Sequence, residues 1–304
     1  MKVTPLPELP DRSEGERRRV AIGTFDGVHV GHREVIRGSD TVLTFDPHPL
    51  AVIRPEALPK LLTPFEVKRD LIAGLSVEEL VVIPFDRDFA ARSAESFVED
   101  VLIGKLGAAQ VSVGENFRFG KGAAGDSELL RSYSEFETRV VPLVEVAGET
   151  VSSSHIRGLV LAGEVDKAAP FLGGPFLFER PVEYGDRRGR ELGVRTANLV
   201  PDDRYVYPGH GVYAAWAHGF PAAVNVGIRP TFDSGRGPLV EAHLIGFDGD
   251  LYGQTLRIAF LERMRGERRF DTPQALVDQM NRDIEQAKRI CEASRQSPDP
   301  SPQG

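Results

Sequence analysis

Cysteine is almost absent from this chain. The single Cys291 excludes an internal disulfide and leaves no thiol cluster for a zinc site. No apolar run approaches the length of a bilayer-spanning helix, and the N-terminal MKVTPLPELP lacks a secretory hydrophobic core. Both absences predict a cytoplasmic protein with no membrane partner. Positive charge is also scarce. Lys and Arg number 37 against 45 Asp and Glu, and the net charge of −8 argues against a nucleic-acid-binding surface. Small anionic substrates need only local positive charge and stay compatible with that balance. Internal repeats are lacking, and no lysine follows a glycine-rich turn in Walker A spacing. What is present is a globular composition, 41% hydrophobic and 27% charged over 304 residues, enough for two cores.

The two halves follow different patterns. In the first, apolar strand candidates (Val20–Phe25, Thr41–Asp46, Leu80–Phe85, Val111–Glu115, Arg139–Val146) alternate with helix candidates (Pro64–Leu75, Ser93–Leu106). Near-continuous hydrophobic strands separated by helices predict a parallel sheet covered on both faces. Near Gly173–Pro175 the pattern changes to short strands with turn signals: Phe176–Tyr184, Gly211–Ala217, Ala222–Val226, Leu239–Phe247 and Leu256–Phe260. Their spacing, with a hairpin-type turn at Asp248–Gly249, predicts a small antiparallel barrel. A helix is expected from Thr272 to about Ser294, with Pro273 in its first turn. The expected domains are 1–173 and 174–294, with a disordered tail over 295–304.

The most informative stretch is GTFDGVHVGH, Gly23 to His32. A strand, a tight glycine turn and a helix start make an anion site from unpaired backbone N–H groups. His29 and His32, three apart, share one face of the first helical turn, and Gly31 lets a ligand approach closely. Imidazoles there donate to phosphate oxygens and stabilise charge on a leaving pyrophosphate. TFDPHP, Thr44 to Pro49, ends the second strand at the same sheet edge, where His48 reads more simply as a loop residue. In GENFRFGKG, Asn116 and the aromatic faces of Phe117 and Phe119 suit a planar heterocycle, though each phenylalanine taken singly suits a core. Ser152, Ser153 and Ser154 before Arg157 read equally as a helix cap or as a phosphate clamp. In the second half, Thr196 and Asn198 project to one side if extended, offering hard oxygen donors to Mg²⁺. Glu241 and His243 share a strand face. There a carboxylate could take the proton of an attacking hydroxyl, while a plain polar outer face is the simpler reading of EAH alone.

The order of these blocks is more specific than any one of them. From Val20 to about Cys291 the chain resembles the prokaryotic bifunctional riboflavin kinase/FMN adenylyltransferase family, also called FAD synthetase. The blocks are GTFDGVHVGH, TFDPHP, PFDRDFAARSAESFVEDVL, VGENFRFGKG, VSSSHIR, TANL, PGHGVYAA, NVGIRPTF, VEAHLIGFDGDLYG and RGERRFDTPQAL.

The resemblance implies an α/β protein: an N-terminal Rossmann-like nucleotidylyltransferase domain, then a β-barrel riboflavin kinase domain with a C-terminal helix. It implies ATP as co-substrate with Mg²⁺, and riboflavin, FMN and FAD as substrates and products. Catalytic roles fall on His29, His32, Arg157 and Glu241. Nucleotide binding falls on Gly23, Phe25, Asp26, Gly31, Ser153, Ser154, Thr196 and Asn198, flavin binding on Asn116 and Phe117, and metal binding on Thr196 and Asn198. Small molecules are the expected partners, with a monomer or weak homo-oligomer. Three departures stand out. Arg195 replaces the proline of the family's PTAN motif, Ser154 and His155 stand where threonine and arginine are usual, and the segment after Ile36 is short. The alternative is therefore an adenylyltransferase alone, with a kinase impaired by Arg195.

Overall fold

The computed structural model describes residues 1–10, 17–183, 195–228 and 238–296. The chain forms two compact units. Met1–Pro59 and Phe65–Ser152 make the first, and Lys60–Pro64 joins the residues from Ser153 on to make the second.

The first unit is a six-stranded sheet of β1 (Lys2–Pro5), β2 (Arg18–Ile22), β3 (Thr41–Asp46), β4 (Glu79–Pro84), β5 (Ala108–Gly114) and β6 (Glu137–Val141), in the order β1-β4-β3-β2-β5-β6. Every pairing is parallel, as the near-continuous apolar strands predict. Alternation along the strands divides the core. Val20 and Ile22 join a cluster with Phe97, Val98 and Leu102, while Ala21 joins one with Val35, Ile36 and Ile72. Each fully buried Val, Ile or Leu stabilises the fold by about 1.5–3 kcal/mol. The chain leaves β2 toward β3 on one side and later enters β5 on the other, so the sheet reverses between β2 and β5. Ligands of open α/β sheets bind at the carboxyl ends of strands beside such a switch point.

Three expectations change here. β1 was not anticipated. The helix expected over Ser93–Leu106 is a short α-turn, Ala94–Ser96, continued by a π-helix, Phe97–Lys105; Ser93 caps it as expected and Gly107 ends it at φ 58°. The strand expected over Arg139–Val146 stops at Val141 before Pro142. Beyond it β7 (Glu145–Val146) and β8 (Glu149–Thr150) form a tiny hairpin around Ala147 and Gly148, both at positive φ.

The second unit is a closed antiparallel barrel of β9 (Phe176–Glu183), β10 (Ala197–Leu199), β11 (Gly211–Ala217), β12 (Phe220–Ile228), β13 (Pro238–Leu244) and β14 (Thr255–Arg265), in the order β10-β13-β12-β11-β14-β9. His218 and Gly219, both at positive φ, make the tight turn between β11 and β12. The β13–β14 connection is longer than a hairpin turn, with left-handed backbone at Gly246 and Gly253 rather than at Asp248–Gly249. Helices Ser153–Ala162 and Val165–Leu172 belong to this unit by packing, the latter against β9 and β14. The C-terminal helix, Pro273–Gln296, lies against β11, β12 and β14. There Arg265 clamps the buried Asp283 with two guanidinium nitrogens, the closest at 2.7 Å. Tyr184–Val194, Arg229–Phe232 of the NVGIRPTF block and the tail beyond Gln296 lie outside the described residues.

Candidate active site

The glycine turn after β2 places the two histidines. Phe25, Gly27 and Val28 all take positive φ, at 50°, 90° and 42°. Such backbone costs about 1–3 kcal/mol at each non-glycine position and persists only where packing fixes it. Burial of Phe25 and Val28 in the sheet core provides that constraint. Asp26 between them is also buried.

His29 is the N-cap of the helix Val30–Ile36, and its Nδ1 accepts the His32 amide N–H at 3.2 Å. The proton of a neutral His29 therefore resides on Nε2, which is left as a donor. The rings of His29 and His32 stack with centroids 3.5 Å apart, and Phe25 meets His32 edge-on at 5.4 Å. Burial lowers the pKa of His29 to about 4, and pushes that of His32 well below its ordinary value, with the charges of His29 and Lys68 adding to the effect. Both imidazoles are neutral at pH 7. His32 Nδ1 is buried with no hydrogen-bond partner among the described residues. A Cβ on Gly31 would stand 3.3 Å from the His29 ring, so a side chain there crowds the imidazole.

Sequence reasoning missed Lys68. It lies on the helix Phe65–Ala73, and its Nζ donates to the Thr24 carbonyl at 3.1 Å. In the sequence it is one lysine among the charges Glu66, Arg69 and Asp70, indistinguishable from a solvated helix face.

The other first-unit candidates separate. His48 caps the helix Pro49–Ile53, its Nδ1 accepting the Leu50 amide at 3.2 Å. Asn116 is exposed just beyond β5, on the other side of the switch point from the histidine turn. Phe119 is a core residue, and Phe117 stacks on it at 5.5 Å while keeping part of its surface exposed.

In the second unit, Arg157 Nε donates to the Lys60 carbonyl at 2.6 Å, and Nη1 lies 3.5 Å from Ser154 Oγ. Ser153 begins this helix and Ser154 is exposed in its first turn. On the barrel, Asn198 pairs with Glu241 across β10 and β13, and Glu241 pairs with Asn225 across β13 and β12. The three polar groups thus form one row, with Asn198 buried and Asn225 and Glu241 half-buried, and their strand neighbours Ala197, Leu199, Val240, Ala242, Val224 and Val226 are buried as well. Asn225 Nδ2 donates to Glu241 Oε2 at 3.3 Å, holding one carboxylate oxygen and leaving Oε1 for other contacts. Asn225 was also missed; its alternation within AVNVG is a signal that becomes readable once the register with β13 is known. Thr196 immediately precedes β10, two residues before Asn198. Arg195 is exposed, and its carbonyl contacts His243 Nδ1 at 2.8 Å.

A strained glycine turn at a sheet switch point is the kind of place where α/β proteins bind phosphate, and the barrel separately carries a carboxylate between two amides. The sequence profile of FAD synthetase matches residues 11–155, and that of riboflavin kinase matches residues 172–291. The bifunctional riboflavin kinase/FMN adenylyltransferase of Bacillus subtilis is 33% identical over 298 residues, covering 91% of this chain and 94% of that one. Its Escherichia coli counterpart is 34% identical over 282 residues, covering 87% and 90%. A crystal structure described as a macrolide-efflux protein from Streptococcus pneumoniae superposes with a TM-score of 0.83 at 29% identity, covering 95% of this chain and 99% of that one. No helix among the described residues is long and apolar enough to cross a membrane.

The chain belongs to the bifunctional riboflavin kinase/FMN adenylyltransferase family. It is an enzyme of FAD biosynthesis, with riboflavin kinase and FMN adenylyltransferase segments. The kinase match spans Arg195, and an adenylyltransferase acting alone is not favoured.

Proposed function

We propose that the two reactions are divided between the histidine turn and the barrel row, with a functional boundary at 173/174. The stacked, neutral His29–His32 pair at the switch point carries the first half of this reading. A phosphate oxygen of FMN attacks the α-phosphorus of ATP, the bond to the pyrophosphate breaks, and FAD forms. The attacking oxygen is already anionic, so positioning and charge stabilisation are the main requirements. His29 Nε2–H and the helix N-terminus donate to the phosphate oxygens, and Gly23, Phe25, Asp26 and Gly31 shape the turn that admits them. Arg157, with Ser153 and Ser154 in the second unit, is a phosphate-binding group in its own right, while Asn116 and the open side of Phe117 receive the flavin.

In the barrel, a ribityl hydroxyl of riboflavin attacks the γ-phosphorus of ATP and ADP leaves. A hydroxyl is a weak nucleophile, and Glu241 accepts its proton. Asn225 orients that carboxylate. Thr196 and Asn198 supply a hydroxyl and an amide oxygen, hard donors that fit a Mg²⁺ held largely through phosphate oxygens and water. When bound, Mg²⁺ neutralises phosphate charge. The substrates are small molecules, nucleic acid and membrane are not partners, and the protein acts in the cytoplasm as a monomer or weak homo-oligomer.

Separate assays of FMN formation from riboflavin and FAD formation from FMN test the division. His29→Ala should lower FAD formation by about 10²–10³-fold, the scale for one lost charge-stabilising donor, and leave FMN formation unchanged. Equal loss of both activities in a folded variant would overturn the two-site reading.

A further inference from the structure

The adenylyltransferase half of that reading leaves a question of charge. A nucleoside triphosphate brings several negative charges, and His29 and His32, held neutral by burial, do not balance them at pH 7. One ammonium is built into the same place. The helices Val30–Ile36 and Phe65–Ala73 send Val35, Ile36 and Ile72 into one core cluster with Phe25, so they cover the same face of the sheet. From the second helix Lys68 extends to the carboxyl end of β2, where Nζ meets the Thr24 carbonyl at 3.1 Å. Thr24 directly precedes the strained Phe25–Val28 turn. The Lys68 amine lies 5.9 Å from the centre of the Phe65 ring. Burial lowers its pKa below the ordinary lysine value, and Asp26 and Asp46, beyond β2 and at the end of β3, act against that shift. Burying an ammonium is costly unless it meets opposite charge and hydrogen-bond acceptors. Here the two aspartates and one carbonyl meet that need in part, and Lys68 is close enough for its charge to weigh on His32.

We propose that Lys68 is a fixed cation of the histidine turn, contacting the pyrophosphate portion of the bound nucleotide beside His32. A lysine ammonium is a point charge that serves phosphate without demanding bidentate geometry. It here supplies from a neighbouring helix what a Walker A lysine supplies from its own turn. Attraction to phosphate is strongest at the developing pyrophosphate, so Lys68 acts on the leaving group as well as on binding. Asp26 and Asp46 keep the amine protonated and aimed while no phosphate is bound.

The inference rests on the assignment of the histidine turn to nucleotide transfer, and the test separates the two. In the full-length chain, Lys68→Met keeps the apolar stem and removes the charge, Lys68→Arg restores it, and His29→Ala is measured in parallel. Inorganic pyrophosphate binding is measured by calorimetry, KM for ATP and kcat in FAD formation from FMN, and FMN formation from riboflavin serves as the folding control. Lys68→Met should weaken pyrophosphate binding and raise KM for ATP at least tenfold, with riboflavin phosphorylation unchanged, and Lys68→Arg should recover part of the loss. Wild-type pyrophosphate affinity and FAD rate in Lys68→Met, with His29→Ala defective, would overturn the role of Lys68 alone. If Lys68→Met and His29→Ala both behaved as wild type, the site assignment itself would fall. Parallel loss of both activities in Lys68→Met would also overturn the proposal, making the residue structural.

Discussion

Asn225 and Glu241 stand opposite one another in the β12–β13 ladder, and the amide of the first donates to Oε2 of the second at 3.3 Å. The contact fixes that carboxylate in a single orientation, which the proposed role of Glu241 as proton acceptor requires. Glu241→Gln should lower FMN formation by about 10²–10⁴-fold, the usual contribution of a positioned general base, with FAD formation from FMN unaffected. Asn225→Ala should reduce kcat for FMN formation while KM for riboflavin and ATP changes little. Asn225→Asp places a second carboxylate beside the first, which raises proton affinity and should move the acid limb of the kinase pH profile upward. Steady-state kinetics of the three variants from about pH 3.5 to about pH 8, a range that brackets the ordinary carboxylate and imidazole values, checks all three outcomes.

Gly31 makes a separate steric prediction. Its hypothetical Cβ stands 3.3 Å from both Cε1 and Nδ1 of His29, closer than ordinary van der Waals contact. Gly31→Ala should tilt the ring, raise KM for ATP in FAD formation and leave the barrel reaction alone. An unchanged KM would mean that the ring gives way without consequence.

Acid should destabilise the first unit through its histidines. The folded protein holds His29 at a pKa of about 4, against 6.5 for a free imidazole. Between those values the unfolded chain binds a proton that the folded chain does not, so stability is full above pH 6.5 and falls as pH drops toward 4. His32 is shifted in the same direction and adds to the slope. Each fully coupled group contributes about 1.4 kcal/mol per pH unit within such a window. Thermal unfolding at pH 7 and pH 5 should show a smaller difference in His29→Asn than in the wild-type chain.

The Arg265–Asp283 clamp ties the C-terminal helix to β14 with three contacts of 2.7 to 3.1 Å, and Asp283 is buried. Removing one partner of a buried pair strands the other charge, at a cost of about 3–5 kcal/mol. Because Arg265 keeps some exposure to water, Asp283→Ala should fall at the lower end of that range in chemical denaturation.

Cys291 is buried with its thiol against the Ala215 carbonyl at 3.2 Å, and burial pushes its pKa up. Little thiolate forms, so thiol reagents should modify it only after unfolding. Rapid labelling of the native chain would show that the helix lifts from the barrel.

Much of this was legible in the sequence because the signals are local. Thr41–Asp46 and Gly211–Ala217 occur as expected, since strand pattern and turn residues lie within each segment. β1 escaped because KVTP is four residues long and leads directly into the proline-rich LPELP, giving too little alternation to read. The Ser93–Leu106 segment shows a helical pattern, but its π-helical continuation is a hydrogen-bond choice that composition does not encode. Lys68 and Asn225 show the deeper limit. One depends on which helix covers the turn and the other on strand register, and both relationships arise only when distant segments meet.

The barrel and the sheet also differ in how they end. Among the described residues the barrel's pairing order closes on itself, β9 meeting β10 at Val182–Leu199 and Glu183–Asn198, so that order has no outer strand. The sheet has two outer strands, β1 and β6. β1 is four residues long and closes in Pro5, and β6 stops one residue before Pro142. A proline at the border of an outer strand removes a donor that an incoming strand would need. The first unit thereby guards its margins against self-association with brevity and proline, where the second achieves the same protection by closure.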